Sequence, residues 1–176
     1  MTADLRDGLI AGLAHALSNR ISTLSVVAQT LEMEDADPAQ LAEMLGQEVT
    51  RLEEILRLMR LVPADGRAEP LLVPELMSDV ASLARHQRDL RGVDVDFDGD
   101  RDVLPIYGER STTILRVLER ITDAARAGRT RVTVKWSGDA AAVTIDVSGA
   151  EPLSLISLPE ARRREGRDSG LGARGS

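Results

Sequence analysis

Two side chains four residues apart carry the most chemistry in this sequence. His15 and Asn19 lie in the run LAHALSNRISTL, and residues at i and i+4 on a helix are neighbours on one face. An imidazole in water is largely neutral at cellular pH, which leaves one ring nitrogen with a free lone pair. Such a nitrogen can take a phosphoryl group and hand it to a carboxylate on a partner. An amide one turn away can hold a water or a phosphoryl oxygen without adding negative charge. The bland alternative is a solvated surface residue, the usual state of an exposed histidine on a helix. The second histidine, His86 in LARHQRD, has no asparagine one turn on and reads as an ordinary surface residue.

The element that must present His15 is a long helix. From Leu5 to about Glu34 there is no proline, and apolar residues recur at Ile10, Leu13, Leu17, Leu24, Val27 and Leu31, with Arg20 standing where one more belongs. Steps of three and four make this a coiled-coil seam, on a helix about 45 Å long at 1.5 Å per residue. With that seam facing inward, His15 falls on the side pointing away. The segment EDADP (Glu34 to Pro38) makes a tight turn. A second helix then runs from Pro38 to about Leu61, with its seam at Leu45, Val49, Leu52, Leu56 and Met59. Two such helices form an antiparallel hairpin. Alone, a hairpin leaves much of its apolar stripe wet. Pairing with a second copy solves this by giving a homodimeric four-helix bundle. A monomer whose remaining chain folds back over the hairpin is the alternative.

The fold class expected is α+β: residues 1–62 as the helical hairpin, 63–71 as a linker (PADGRAEP), and 72–176 as a small α/β sandwich. Val73 to Leu90 reads as a helix, VDVDF (Val93 to Phe97) as a strand, and Val103 to Tyr107 as a short second one. Residues 109–127 form a helix capped by Ser111 or a neighbour and stopped by Gly128. TRVTVKW and AAVTIDV alternate and are joined by SGDA, a hairpin signal. From Glu151 the chain reads as irregular and arginine-rich, and the cluster Arg162 to Arg164 with Arg167 reads as a solvated charge run. Trp136 alternates within a strand and reads as packing.

Composition narrows the classes. The chain has 176 residues, 43% hydrophobic and 29% charged, as a globular protein does. It has no cysteine, which excludes a disulfide scaffold, a thiol nucleophile and a zinc ribbon, and two histidines build no histidine-rich metal site. Aromatic content of 2% and a net charge of −7 both argue against a nucleic-acid surface. No apolar run is long enough to span a bilayer and the N-terminus has no signal-peptide pattern, so a cytoplasmic protein without a membrane segment is expected.

The order of these elements, a long helix with LAHALSNRISTL, a turn, a helix with EVTRLEEILRLMR, then a small α/β unit, resembles the core of bacterial sensor histidine kinases. It is equally similar to the dimeric histidine phosphotransferases of phosphorelays. The resemblance implies a dimerisation and phosphoacceptor hairpin with His15 as acceptor, assisted by Asn19 and Arg20. It also implies a degenerate or truncated ATP-binding domain and a response-regulator receiver domain as partner.

The departures from the family pattern are specific. Ala16 stands where self-phosphorylating kinases carry an acid. In LERITDAARA, Glu119 and Asp123 replace the family's two asparagines, leaving Asp123 as the residue that could meet Mg²⁺. After TIDV, Gly149 occupies the place of the adenine-reading aspartate, and Asp146 comes three residues too early. SGLG (Ser169 to Gly172) resembles the later glycine box, so Gly170 and Gly172 would approach phosphates only if a nucleotide binds. No cofactor is expected unless the chain is a kinase, which would need ATP and Mg²⁺. The leading expectation is a histidine phosphotransferase that accepts from and donates to receiver aspartates, with apolar surface near Leu9 and Ile21 meeting the partner. An ATP-dependent histidine kinase and a non-catalytic dimeric scaffold of the same fold are the alternatives.

Overall fold

A computed structural model of the protein describes residues 2–31, 37–63 and 66–158. It is α+β. Helix α1 (Thr2–Thr30) and helix α2 (Pro38–Met59) form the hairpin, followed by β1 (Glu69–Leu71), α3 (Val73–Ala84), a 3-10 turn (Arg88–Leu90), β2 (Asp94–Gly99), β3 (Ile106–Gly108), α4 (Arg110–Arg126), β4 (Arg131–Gly138), β5 (Ala142–Val147) and β6 (Leu153–Ile156). Local chemistry sets several boundaries. The Asp37 carboxylate caps α2 by accepting from Ala39 N–H, and Pro38 fills the first turn, where its missing N–H costs nothing. Glu109, a neighbour of Ser111, caps α4: its carboxylate accepts from the Ser111 and Thr112 N–H groups. Gly128, at φ +88°, stops α4 as expected, in a backbone region that favours glycine.

The sheet order is β2-β4-β5-β6, parallel between β2 and β4 and antiparallel elsewhere, with α4 in the crossover. β1 and β3 pair separately, and an Ile106–Ser157 bridge joins them to the end of β6. Val132, Val134, Val143, Ile145 and Leu153 line the buried face of the sheet, against Leu76, Val80 and Leu83 of α3 and Ile114, Leu118 and Ile121 of α4. The core then continues into the hairpin without a break, through Leu5, Leu9 and Leu13 of α1 and Ile55 and Leu58 of α2.

Several expectations need correction. The seam of α1 is buried at Leu5, Leu9, Leu13 and Val27, while Ile10 and Leu31 are exposed. On α2 the buried positions are Leu41, Glu48, Ile55 and Leu58, and Val49 and Leu56 are exposed. Leu13 and Val27 of the expected α1 seam are buried and Leu17 and Leu24 half-buried, so the inward face is rotated toward Leu5 and Leu9 and not wholly exchanged. Leu9 is fully buried and offers nothing to a visitor. The helix expected to reach Leu90 ends at Ala84, and the backbone that follows, at His86, docks against α1. The segment after Glu151, expected to be irregular, forms β6 on the open edge of β5. Part of the expected linker, from Glu69, belongs to β1.

Candidate functional site

His15 is exposed on α1. The Asn19 amide Nδ2 lies 3.3 Å from His15 Nε2. An NH₂ group can only donate, so Nε2 accepts and the ring proton sits on Nδ1. In that tautomer the Nε2 lone pair is engaged by the amide, on a ring that stands at the surface. His15 and Asn19 are therefore together, as their spacing implied.

Arg20 is placed differently. Its Nη1 lies 3.2 and 3.3 Å from the two carboxylate oxygens of Glu48, across the hairpin on α2. Arg51 binds the same carboxylate from one turn along. The Glu48 side chain is 5% exposed, whereas those of Arg20 and Arg51 are 36% and 54% exposed. Burial pushes the Glu48 carboxyl up, but the hydrogen bonds from Arg51 and Arg20 outweigh it and hold the group below its ordinary range. Arg20 thus fills the gap in the seam as half of an ion pair. Sequence reasoning passed over Glu48, although an arginine in an apolar seam calls for an acid opposite.

The α/β layer grips the hairpin close to His15. A Cβ at Gly12 would stand 1.9 Å from the His86 carbonyl oxygen, and one at Gly8 would stand 3.0 Å from Gln87 Oε1. The two glycines, one turn apart, let the backbone after α3 lie against α1 one turn before His15. His86 is half-buried there, not a free surface residue. Burial, then the neighbouring Arg85, push its imidazole below the ordinary range, and Glu54 opposes them. A second anchor sits on α3. Asp79, 5% exposed, accepts from Arg57 Nη1 of α2 at 2.6 Å and from Arg110 Nε and Nη2 of α4 at 3.0 and 2.7 Å. One buried carboxylate ties three helices together.

The residues assigned to a nucleotide are elsewhere. Asp123 and Glu119 are half-buried on α4. Gly149, at φ +85°, lies in the five-residue connection 148–152 between β5 and β6, and a Cβ there would stand 2.2 Å from Arg129 Nε. Gly170 and Gly172, with the arginine cluster from Arg162, lie outside the described residues. Trp136 has the packing role expected: its ring covers Gly99 and its Nε1 donates to the Asp100 carbonyl at 2.8 Å.

The fold and site together define a class: a helical hairpin that displays an exposed imidazole and is docked on a small α/β layer. No protein-family model matches the chain and no curated protein matches it. Among solved structures it is similar to the histidine kinase AdeS of Acinetobacter baumannii (15% identity, TM-score 0.38, covering 76% of this chain and 71% of that one). It is also similar to a histidine kinase from Burkholderia phymatum STM815 (17%, TM-score 0.43, covering 83% and 64%). A third is the histidine kinase ThkA in complex with the response regulator protein TrrA (19%, TM-score 0.36, covering 78% and 43%). The chain thus spans less than two thirds of the second and third of these proteins. Among the described residues, no helix is long and apolar enough to cross a membrane.

Proposed function

We propose that this chain is a two-component relay protein in which His15 carries a phosphoryl group between receiver-domain aspartates. The observation that carries the reading is the exposed His15 ring with its Nε2 3.3 Å from the Asn19 amide. As a receiver's acyl phosphate approaches, a bond forms from Nε2 to phosphorus. The acyl O–P bond breaks, the aspartate leaves as carboxylate, and the Nδ1 proton stays in place. The Asn19 N–H, released from Nε2, then bonds a phosphoryl oxygen. Such transfer needs alignment and charge stabilisation more than covalent work from the protein. Mg²⁺ and the acceptor carboxylate come with the receiver. Arg20, held by Glu48, acts by keeping the α1–α2 register that presents His15.

The working form is a homodimer. Ile10, Ala14, Leu17, Ile21, Leu24, Ala28 and Leu31 run in steps of four and three along α1, and Ala42, Leu45, Val49, Leu52, Leu56 and Met59 do the same along α2. Ile10, Ile21, Leu31, Val49 and Leu56 of these stripes are between 46% and 53% exposed, the pattern of helices awaiting a second pair. A phosphotransferase reading is favoured over an ATP-dependent kinase by Ala16 beside the histidine and by the glycine turn packed on Arg129 after β5.

The test is label transfer. A receiver domain carrying a labelled aspartyl phosphate should pass acid-labile label to the purified chain and not to His15→Ala. Labelled ATP with Mg²⁺ should leave no label. Label from ATP at His15 would replace this reading with the kinase, and transfer that survives His15→Ala would end it.

A further inference from the structure

A cavity of about 560 Å³ opens where α1, α2 and the turn after α3 meet, lined among others by Ala16, Arg20, Arg51, Glu54, Ile55 and His86. The charges around it do not cancel. Arg20 and Arg51 share the single carboxylate of Glu48, each through Nη1. Among the described residues no hydrogen bond reaches the Nε or Nη2 of either guanidinium. The other acid on the wall, Glu54, is taken: Arg57 binds both its oxygens, Nε at 2.9 Å and Nη2 at 3.0 Å. Across the cavity stands the half-buried His86 imidazole. In a chain of net charge −7 this is a local excess of one positive charge with unused donors. Ala16, Ile55 and Thr50 complete the wall, and the two apolar side chains lower the competition from water.

We infer that this cavity is an oxyanion site, in which the free N–H groups of Arg20 and Arg51 hold a phosphate or carboxylate group and His86 faces it from the α/β layer. Planar guanidiniums suit both anions, because two parallel N–H groups match two oxygens. Glu48 has a defined part: it neutralises one charge and, from below, fixes the two guanidiniums beside the cavity. The site joins hairpin and α/β layer, so an anion bound there would strengthen their contact. It is separate from the relay reading, because no step passes through His15.

The test is titration of the whole chain with inorganic phosphate, against chloride at equal ionic strength, followed by NMR of the arginine Nε–H and histidine ring signals. Saturable shifts at Arg20, Arg51 and His86 are expected. Arg51→Gln should weaken binding about tenfold, the loss of one charge-assisted pair, and His86→Gln should weaken it less. Arg51 is 54% exposed and Arg20 remains on Glu48, so the variant keeps its fold. Arg131→Gln, on the outer face of the sheet, should titrate like the natural chain. A parallel titration with aspartate blocked at both ends separates the sources. Binding of phosphate alone assigns a free dianion, and binding of both assigns an acidic side chain of a docking protein. Shifts that rise without saturating, or that Arg131→Gln abolishes equally, overturn the site.

Discussion

The two ends of the hairpin are built from the same kind of helix but are finished to different degrees. At the base, Leu5, Leu9 and Leu13 of α1, Ile55 and Leu58 of α2 and Val62 just after it belong to the continuous core they share with α3 and α4. At the far end, Val27 and Leu41 are buried but lie outside that core, and Ile21, Val26, Leu31, Met44 and Val49 are exposed. The Glu48 ion cluster sits between them as a polar layer. The contrast teaches that the chain completes its base by itself and leaves its tip for another surface to complete. A fixed base gives His15 a defined position relative to the α/β layer. In the homodimer proposed above, an open tip would leave the association of two copies reversible.

The largest effect should come from breaking the base. Leu13→Ala, at a fully buried position, is expected to lose about 2–5 kcal/mol in denaturant unfolding, and Leu41→Ala at the tip distinctly less, since its site can relax. Equal losses would show that the two ends do not differ. Next comes the anchor between hairpin and α/β layer. Asp79→Asn leaves Arg57 and Arg110 without their shared charge, at a cost of about 1–3 kcal/mol because both partners reach solvent. Amide exchange should quicken at the start of α3 and α4 and not in β4 and β5.

A sharper comparison is Ile21→Glu with Val49→Glu. Both side chains are about half exposed within one chain, so unfolding of the monomer should move by no more than about 0.5 kcal/mol. Sedimentation should nevertheless show the dimer lost. A dimer that persists would place the interface elsewhere. The smallest effect is acid sensitivity of the middle layer. The folded Glu48 carboxyl is held below its ordinary range, so its contribution is present above the unfolded value, about pH 4.3. It fades as pH falls from there through the folded value. Glu48→Gln should flatten that part of the stability profile.

The helices were legible because a 3.5-residue period is written plainly in both. The rotation of the inward face was not, since Ile10 and Leu31 are as apolar as the positions that are buried. The choice depends on Gly8 and Gly12 admitting a backbone, which no period records. The pairing of His15 with Asn19 follows from local helical geometry and could be read from spacing alone. The surroundings of His86 could not, because they come from chain distant in sequence, and Arg20 in the seam called for an acid opposite without naming Glu48. β6 escaped notice for a similar reason: LSLI is short and follows a proline, and it becomes a strand only because β5 offers a free edge. The α4 cap was legible only as Ser111 or a neighbour, because glutamate is an uncommon capping residue.

From Ile21 to Leu31 the chain carries no charged side chain. The hydroxyls of Ser22, Thr23, Ser25 and Thr30 in this stretch each donate to the carbonyl four residues back, at 2.9–3.0 Å. Their donors are already spent, so a visiting helix meets only their acceptor lone pairs and no charge to strip of its hydration. Adhesion at the tip then rests almost wholly on releasing loosely held water, a driving force that weakens on cooling. Two copies joined there should drift apart in the cold and tighten as the solution is warmed.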